Sequence, residues 1–379
     1  MKKTYFTSEA VCKGHPDKVA DQIADAILDE LLKQDPNSRV ACEVTCTTNK
    51  VHIFGEITTK AKVDYQQIAR NTIKEIGYTR KGKGFDYETC SIEVDLHQQS
   101  PDISMGIIRD ENDILNAGAG DQGIMFGYAC NQSENFMPLP IELANRLVKR
   151  LDSVREDEVL EYLLPDGKAQ VTVEYEYGSP KRVEAVVLSA QHDEKTDIEE
   201  LRKDLLENVI KPVIPQNMID KDTKIFINPT GRFAEGGPGA DSGLTGRKLI
   251  CDSYGGYARH GGGAISGKDP SKVDRSAAYM ARYIAKNIVA QGLADECEVQ
   301  LGYAIGVAKP VSIYIETFGT EHINRHRLER KVNECIDCRP GAIIQKFSLK
   351  EPIYSKVACY GQFGENAKEM PWENVDLKI

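Results

Sequence analysis

The sequence predicts a mixed α/β protein made of three similar two-layer subdomains. The same order of helix, β-hairpin, helix and strand recurs three times along the 379 residues. Corresponding elements lie roughly 120–135 residues apart, which exceeds the period of a stacking solenoid. Each round is therefore interpreted as a subdomain, in which helices cover one face of a small sheet.

The first round begins with a helix whose apolar residues recur at helical spacing. Pro16 suits the first turn of this helix, and Gly77 ends the second helix of the round. Alternating residues on both sides of Thr48-Asn49-Lys50 predict a hairpin. The predicted elements are a helix at 16–33, strands at 39–46 and 51–59, a helix at 63–76 and a strand at 91–96.

The second and third rounds repeat this order with their own turn signals, such as Gly178-Ser179-Pro180 between two alternating segments. The second is predicted as a helix at 140–151, strands at 170–177 and 182–189, a helix at 197–210 and a strand at 224–228. The third is predicted as a helix at 270–290, strands at 298–307 and 311–317, a helix at 324–336 and a strand at 342–347.

Composition and charge exclude several classes of protein. The 41% hydrophobic and 28% charged residues are typical of a globular chain rather than a disordered or fibrous one. A net charge of −10 argues against a nucleic-acid partner, but an anionic small substrate could still bind in a local basic pocket. No apolar run approaches the ~20 residues of a membrane span, and Met1 to Gly14 contain no apolar signal segment.

The ten cysteines are scattered and favour a reduced, cytoplasmic protein. The Cys335-x-x-Cys338 pair leaves a redox role open, since no second pair completes a zinc site.

Several hairpin strands, such as 183–188, are apolar on both faces. Helices can cover only one face of a sheet in a two-layer subdomain, so the other face must meet another subdomain or another subunit. We expect an obligate homo-oligomer; the alternative is a three-domain monomer that closes its own sheets.

Glycine is concentrated between residues 229 and 268, where Arg232, Arg247, Lys248 and Lys268 are interleaved with it. Glycines let the backbone approach a ligand closely, and arginine and lysine supply donors for phosphate oxygens. The segment also runs into a helix expected to open near Asp269-Pro270, where free N–H groups attract anions. The pattern indicates a polyphosphate cradle; a polar surface loop is the alternative.

The segment Gly14-His15-Pro16-Asp17-Lys18 opens the first helix, and Asp17, Asp21 and Asp25 share one face of that helix. A divalent cation could offset one of these charges, because oxygen ligands suit Mg²⁺. The turn fixes the direction of Asp17, which makes it the candidate. For Asp21 and Asp25 we expect a solvated acidic face.

Three further acids, Glu56, Asp121 and Asp241, lie next to glycines or in tight turns and could be turn residues or ligands. No Ser-His-Asp or Cys-His arrangement stands out, so nothing indicates a covalent intermediate.

Seven motifs closely resemble those of the S-adenosylmethionine synthetase (methionine adenosyltransferase) family. They are GHPDK at 14–18, GEITT at 55–59, QSPDI at 99–103, GAGDQG at 118–123, NPTGRF at 228–233, GLTGRK at 243–248 and SGKDPSKVDRSAAY at 266–279. The resemblance implies three α/β subdomains around a pseudo-threefold axis, with sheets packed at a subunit interface. It implies boundaries at 3–101, 117–234 and 236–373, with a mobile active-site loop at 99–117.

The resemblance also implies the reaction. The family joins L-methionine to ATP, forming S-adenosylmethionine, and then splits the tripolyphosphate into phosphate and diphosphate. The methionine sulfur carries no proton and attacks C5′ directly, so catalysis is expected to rest on positioning and on stabilisation of the leaving group.

Site residues follow from the resemblance position by position. The groups on the triphosphate are His15, Lys168, Arg247, Lys248 and Lys268. The remaining ATP-binding residues are Asp166, Arg232, Phe233, Asp241 and Ala264. The methionine-binding residues are Glu56, Gln99, Asp121, Asp241 and Lys272. The metal ligands are Asp17 and Asp274 for Mg²⁺ and Glu43 for K⁺.

The implied cofactors are two Mg²⁺ per site and one K⁺ per subunit. The implied assembly is a cytoplasmic homotetramer, a dimer of dimers with active sites between subunits, without nucleic-acid or membrane partners. The sequence departs from the usual family pattern at Cys12-Lys13, Leu164, Ala240 and Ile265. Two other classes stay open: an ATP-dependent transferase that releases ADP, and a non-catalytic nucleotide sensor.

Overall fold

The computed structural model describes residues 3–98 and 114–378. Residues 99–113, which include Gln99 and most of the predicted active-site loop at 99–117, lie outside the described residues. Among the helices that are described, none combines the length and apolar character that crossing a membrane would require.

The first round opens on a strand that the sequence analysis missed, and the predicted elements follow. His15 caps the first helix by accepting a hydrogen bond from the Asp17 amide, and Gly77 ends the second helix at φ 111°. The elements are β1 (Lys3–Val11), α1 (Pro16–Gln34), β2 (Arg39–Thr47), β3 (Lys50–Thr58), α2 (Tyr65–Ile76) and β4 (Ser91–His97).

The other two rounds also begin with a strand that was not predicted. The second consists of β5 (Gly123–Cys130), α3 (Leu139–Glu156), β6 (Leu163–Glu176), β7 (Ser179–His192), α4 (Ile198–Leu205, continued by a π-helical turn at Leu206–Ile210) and β8 (Lys224–Ile227). The third consists of β9 (Gly243–Leu244), α5 (Leu249–Asp252), α6 (Val273–Ala290), β10 (Glu296–Tyr303), β11 (Ser312–Glu316), α7 (Arg325–Cys335) and α8 (Pro340–Lys346).

Each sheet combines the hairpin of one round with the opening strand of another. The strand orders are β4-β3-β2-β9, β1-β6-β7-β8 and β11-β10-β5. β1 pairs antiparallel with β6, β5 with β10, and β9 with β2. The three rounds therefore exchange strands cyclically, which confirms the α/β architecture of three related subdomains and ties them together.

The predicted strand at 342–347 is wrong, because this segment forms most of helix α8. Pro340 occupies the first turn, where its fixed φ favours a helix. A short apolar run such as Ala342-Ile343-Ile344 does not by itself distinguish a strand from a helix. In the described residues the third sheet consequently has three strands, whereas the other two have four.

Helix α6 begins at Val273 rather than near Pro270. The Asp269 amide donates to the Val40 carbonyl at 3.0 Å, and the Asp269 carboxylate accepts from the Val40 amide at 2.7 Å. These two bonds hold the chain along β2 in an extended path, so the helix can start only after residue 269 has left the strand.

Candidate active site

Residues 244–268 of the glycine-rich segment contact, at both of their ends, the edge of β2 that faces away from β3. Leu244 lies opposite Thr45, and Lys268 forms an antiparallel bridge with Ala41. The chain between these two contacts leaves the edge as a loop. At 3.3 Å per residue, the two contact points are roughly 13 Å apart along the strand.

Helix α1 holds both ends of this segment through its row of aspartates. Asp17, Asp21 and Asp25 accept hydrogen bonds from the amides of Leu244, Gly246 and Gly267 at 3.0, 2.9 and 2.8 Å. Asp21 and Asp25 are fully buried, so the expectation of a solvated acidic face was wrong. Asp21 pairs with the neighbouring Lys18, but its amide partner Gly246 and both partners of Asp25, Gly267 and Arg275, lie more than 200 residues away in sequence, where helical spacing alone cannot reveal them.

One group of predicted site residues meets at the N-terminal end of α1. Lys248 forms an ion pair with Asp17, and the Arg247 Nε lies 3.5 Å from Asp17 Oδ1. His15 adjoins Asp17 and Lys248. We call His15, Asp17, Arg247 and Lys248 the α1-end cluster. Although burial opposes ionisation, the hydrogen bonds from Lys248 and from the Leu244 amide hold the pKa of Asp17 below its usual value, so its carboxylate is charged at neutral pH.

His15 is a neutral hydrogen-bonding group in this cluster. Burial, followed by the charge of Lys248, lowers the pKa of His15 to about 4. Its Nδ1 accepts from the Asp17 amide at 3.2 Å, which assigns the ring proton to Nε2. The Nε2–H is thus a donor at a helix N-terminus, an arrangement that suits a phosphate oxygen.

A second group meets at the other contact point on β2. Lys268 forms an ion pair with Asp274 in the first turn of α6, and Glu43 on β2 is close enough to Lys268 to feel its charge. We call Glu43, Lys268 and Asp274 the β2-edge cluster. Burial raises the pKa of Glu43. A Cβ at Gly263 would lie 2.2 Å from Asp274 Oδ1, so a larger residue there would displace this carboxylate.

Glu43 of the β2-edge cluster lies on the face of the sheet that points away from α1. Cys42, Val44 and Cys46 of β2 are buried against α1, whereas Glu43 alternates with them and points to the opposite face of the sheet. Glu56, opposite Ala41 on β3, shares that outer face and lies 3.2 Å from His97 Nε2.

Asp166 lies under the glycine-rich segment rather than on the surface. Its carboxylate accepts from the Gly237 amide at 2.8 Å. Burial raises the pKa of Asp166 to about 7, far above the usual ~3.9 of an aspartate in an unfolded chain. The carboxyl therefore stabilises the fold while protonated, and it loses that contribution as pH rises from about 4 through about 7.

We therefore expect Asp166→Asn to reduce the pH dependence of stability. The amide keeps the shape and an oxygen for Gly237 but cannot release a proton. Relative to the parent chain, the variant should gain Tm as pH rises from 5 to 8, because other titrating groups cancel in the difference. Differential scanning calorimetry at several pH values measures this, and Tm curves that run parallel would contradict the assignment.

The other predicted residues are distributed around these clusters. Lys168 lies 3.1 Å from Glu9, and Lys168 and Asp241 both act on the charge of His15. Lys272 pairs with Asp269 at 2.6 Å. Three predicted residues have their described contacts outside both clusters. Arg232 pairs with Glu194 at 3.6 Å, and the Phe233 amide donates to His192 Nε2 at 3.0 Å. Asp121 accepts from the Gln122 amide at 2.7 Å. Ala264 is half-buried and faces Gly246.

Sequence reasoning missed the buried charges that support this site. Lys18 is 2% exposed and donates to Asp21 at 2.9 Å and to the Ala358 carbonyl at 3.0 Å, and it also pairs with Asp252. Burial raises the pKa of Asp252 to about 6. The spacing of the α1 aspartates and of Lys18 was the available signal, but their other partners come from distant segments.

The described carboxylates suit Mg²⁺ when substrate phosphates supply the other ligands. Within residues 3–98 and 114–378, no three or more His, Cys, Asp or Glu residues are grouped as a metal site. Asp17 and Asp274 each offer carboxylate oxygens, which are the hard ligands that Mg²⁺ prefers. Such a cation is commonly held by one or two carboxylates together with substrate phosphates, and this arrangement agrees with the residues present.

Comparison with known proteins places these features in a family. Residues 3–101, 116–233 and 235–374 match the N-terminal, central and C-terminal domains of S-adenosylmethionine synthetase. The chain is also 54% identical, over 384 aligned positions, to S-adenosylmethionine synthase of Brachyspira hyodysenteriae. That similarity covers 100% of this chain and 98% of the relative.

Proposed function

Since the chain belongs to the S-adenosylmethionine synthetase family, we propose that its active site forms between two copies. One copy would supply the α1-end cluster and the other the β2-edge cluster. The activity itself is methionine adenosyltransferase, the synthesis of S-adenosylmethionine from ATP and methionine.

Formation of the sulfonium requires no protein base, because the methionine sulfur has no proton to lose. A lone pair of the methionine sulfur forms the bond to C5′ of ATP, and the C5′–O bond breaks with its electrons staying on the tripolyphosphate. Water then cleaves the tripolyphosphate into phosphate and diphosphate. Because negative charge collects on the leaving group, cationic donors fixed around it are the effective catalytic device.

The α1-end cluster has the composition needed to bind that leaving group. Lys248 and Arg247 are held by Asp17, so they are positioned before ATP arrives. The neutral His15 adds an Nε2–H donor without adding charge. Lys268 would supply a further cation from the other copy, and Lys168 lies within electrostatic reach of His15.

The family needs metal ions, and we propose Mg²⁺ at Asp17 and at Asp274, two per site, and K⁺ at Glu43. Bound Mg²⁺ would neutralise charge on the phosphate oxygens. The low pKa of Asp17 keeps its carboxylate charged for this purpose. The aspartates are now paired with Lys248 and Lys268, so metal and triphosphate would exchange partners with these lysines.

For the substrates we propose the division that the family resemblance implies. Arg232, Phe233, Asp166 and Ala264 would contact ATP, Glu56, Gln99, Asp121 and Lys272 would contact methionine, and Asp241 would contact both. Glu56 shares the outer face of the first sheet with Glu43, which places it beside the β2-edge cluster.

The separation of the two clusters is the observation that carries the shared site. Their ionic partners do not overlap among the described contacts, and their contact points on β2 lie roughly 13 Å apart. Glu43 also faces away from α1. Two copies related by a twofold axis would bring complementary clusters together twice. A homotetramer built from such dimers, and a cytoplasmic location, remain predictions.

Mixing two inactive variants tests this arrangement. Lys248→Ala disables the first cluster and Lys268→Ala disables the second, so each homodimer contains two defective sites. A mixed dimer contains one doubly defective site and one intact site. Random co-assembly should therefore restore about a quarter of the parent's sites, measured by mass spectrometry of the S-adenosylmethionine formed.

The control is the double variant mixed with either single variant, in which no intact site can form. Activity should stay at the background level there. If the two single variants also fail to complement after co-expression, although size-exclusion chromatography shows mixed dimers, both clusters serve a site within one copy and the shared site is wrong.

A further inference from the structure

Two charged residues outside the proposed ligand-binding groups meet beneath Lys268. Asp25 on α1 and Arg275 on α6 are both 0% exposed, and Arg275 Nη2 lies 2.9 and 2.8 Å from the two oxygens of Asp25. The guanidinium also stacks 4.4 Å from the Tyr354 ring centroid. The pair thus joins α1 of the first round to α6 of the third.

The pair forms hydrogen bonds with the backbone of Gly267 and of Lys268, the predicted phosphate-binding lysine. Asp25 Oδ1 accepts from the Gly267 amide at 2.8 Å, and Arg275 Nη1 donates to the Lys268 carbonyl at 2.9 Å. From the opposite side, the Cys42 amide of β2 donates to the Gly267 carbonyl at 2.9 Å. Gly267 has φ +80°, and a Cβ there would lie 2.0 Å from the Cys42 carbonyl oxygen, so the chain is confined between strand and ion pair.

Stability alone does not explain such a pair. Burying two charges costs about as much as their attraction returns, and apolar replacements are often as stable. The Nε of Arg275 is buried without a hydrogen-bond partner among the described residues, which adds to the cost. The hydrogen bonds of the pair to the backbone go to residues 267 and 268, and this favours a geometric role.

We propose that Asp25 and Arg275 are positioning residues that fix the backbone of Lys268 and thereby aim its ammonium at the leaving tripolyphosphate. This proposal rests on the role of Lys268 under the proposed function. Small displacements of a reacting or charge-stabilising group can cost about 10²-fold in rate. The pair therefore controls turnover without contacting substrate.

Arg275→Lys is the informative variant. Lysine keeps the positive charge opposite Asp25, but it lacks the planar fork that reaches Asp25 and the Lys268 carbonyl together. We expect kcat to fall about 10- to 100-fold, with a smaller change in the KM for ATP because the α1-end cluster is untouched.

Arg282 provides a matched control two turns further along α6. It is also 0% exposed and paired with a buried carboxylate, Glu373, and it also donates to a backbone carbonyl, that of Tyr128, at 2.7 Å. None of its described contacts involves the proposed site. Arg282→Lys should lower Tm by a comparable amount while kcat of the folded enzyme stays within about twofold of the parent.

A double-mutant cycle with Lys268→Ala separates positioning from general loosening. If Arg275 acts through Lys268, Arg275→Lys should change kcat by less than about twofold in the Lys268→Ala background. Equal effects in both backgrounds overturn the inference. Near-normal turnover of Lys268→Ala by itself would instead remove Lys268 from the proposed function.

If Arg275→Lys does not melt cooperatively, Asp25→Asn enters the same cycle. Its control is Asp29→Asn, one turn along α1, where the carboxylate accepts from the Tyr354 and Ser355 amides at 3.0 and 2.8 Å. Loss of turnover confined to Asp25→Asn and absent in the Lys268→Ala background supports the proposal, and any other pattern contradicts it.

Discussion

Replacing Lys268 by alanine is expected to lower kcat about 10²–10³-fold, as removal of one well-placed donor to a developing anion does. Lys268 is only 18% exposed in its side chain and pairs with Asp274, so its ammonium is already directed before substrates bind. Its backbone is held by β2 and by the Asp25–Arg275 pair, and the fold should therefore tolerate the loss of the side chain.

The same variant should hydrolyse added tripolyphosphate more slowly, because the lysine would bind that anion in both half-reactions. Lys272→Ala is the matched comparison. Lys272 lies four residues further on, has a similarly buried side chain and pairs with Asp269 instead. Because Lys272 is proposed to contact methionine, the comparison is made in tripolyphosphate hydrolysis, which uses no methionine, and there its replacement should change the rate much less. Equal rate losses in the two variants would show that any positive charge in this turn has the same effect, and that Lys268 is not a specific donor to the tripolyphosphate.

The helices and hairpins of the three rounds could be predicted because their signals are local. Apolar spacing, Pro16 and Gly77 define α1 and α2 within a few neighbouring residues. The opening strands β1, β5 and β9 were missed because each one pairs in the sheet of a different round. Nothing in a local window records such a partner, and a two-residue strand such as β9 has no period to detect.

The site shows the same division between local and distant information. The glycine-rich segment, its basic residues and the acids on α1 were visible in sequence. The burial of Asp21 and Asp25 was not, because the amides of Gly246 and Gly267 and the side chain of Arg275 come from distant segments, and only Lys18 is a local partner. A rule about exposed like charges on a helix assumes water on that face, and tertiary structure replaces the water with backbone amides.

Replacing Asp17 by asparagine is expected to raise the Mg²⁺ concentration required for half-maximal activity about 10- to 100-fold, the range that altered metal environments commonly produce. Asparagine keeps the shape of the side chain and an oxygen that can accept from the Leu244 amide, which now lies 3.0 Å from Asp17. The segment carrying Arg247 and Lys248 should therefore stay in place. What is lost is the negative charge, which the hydrogen bonds of this carboxylate preserve at neutral pH.

Glu43→Gln gives the reciprocal experiment, because Glu43 lies in the other cluster and on the opposite face of β2. Its replacement should reduce the factor by which K⁺ increases activity and leave the Mg²⁺ titration unchanged. Asp17→Asn should shift the Mg²⁺ titration and leave the factor of activation by K⁺ unchanged. Two cation titrations on each variant, with ATP and methionine saturating, measure both effects. An unshifted Mg²⁺ titration in Asp17→Asn would mean that the carboxylate serves only to hold Lys248 and Arg247. A shift in both titrations for both variants would mean that the two clusters act as one electrostatic unit rather than as separate cation sites.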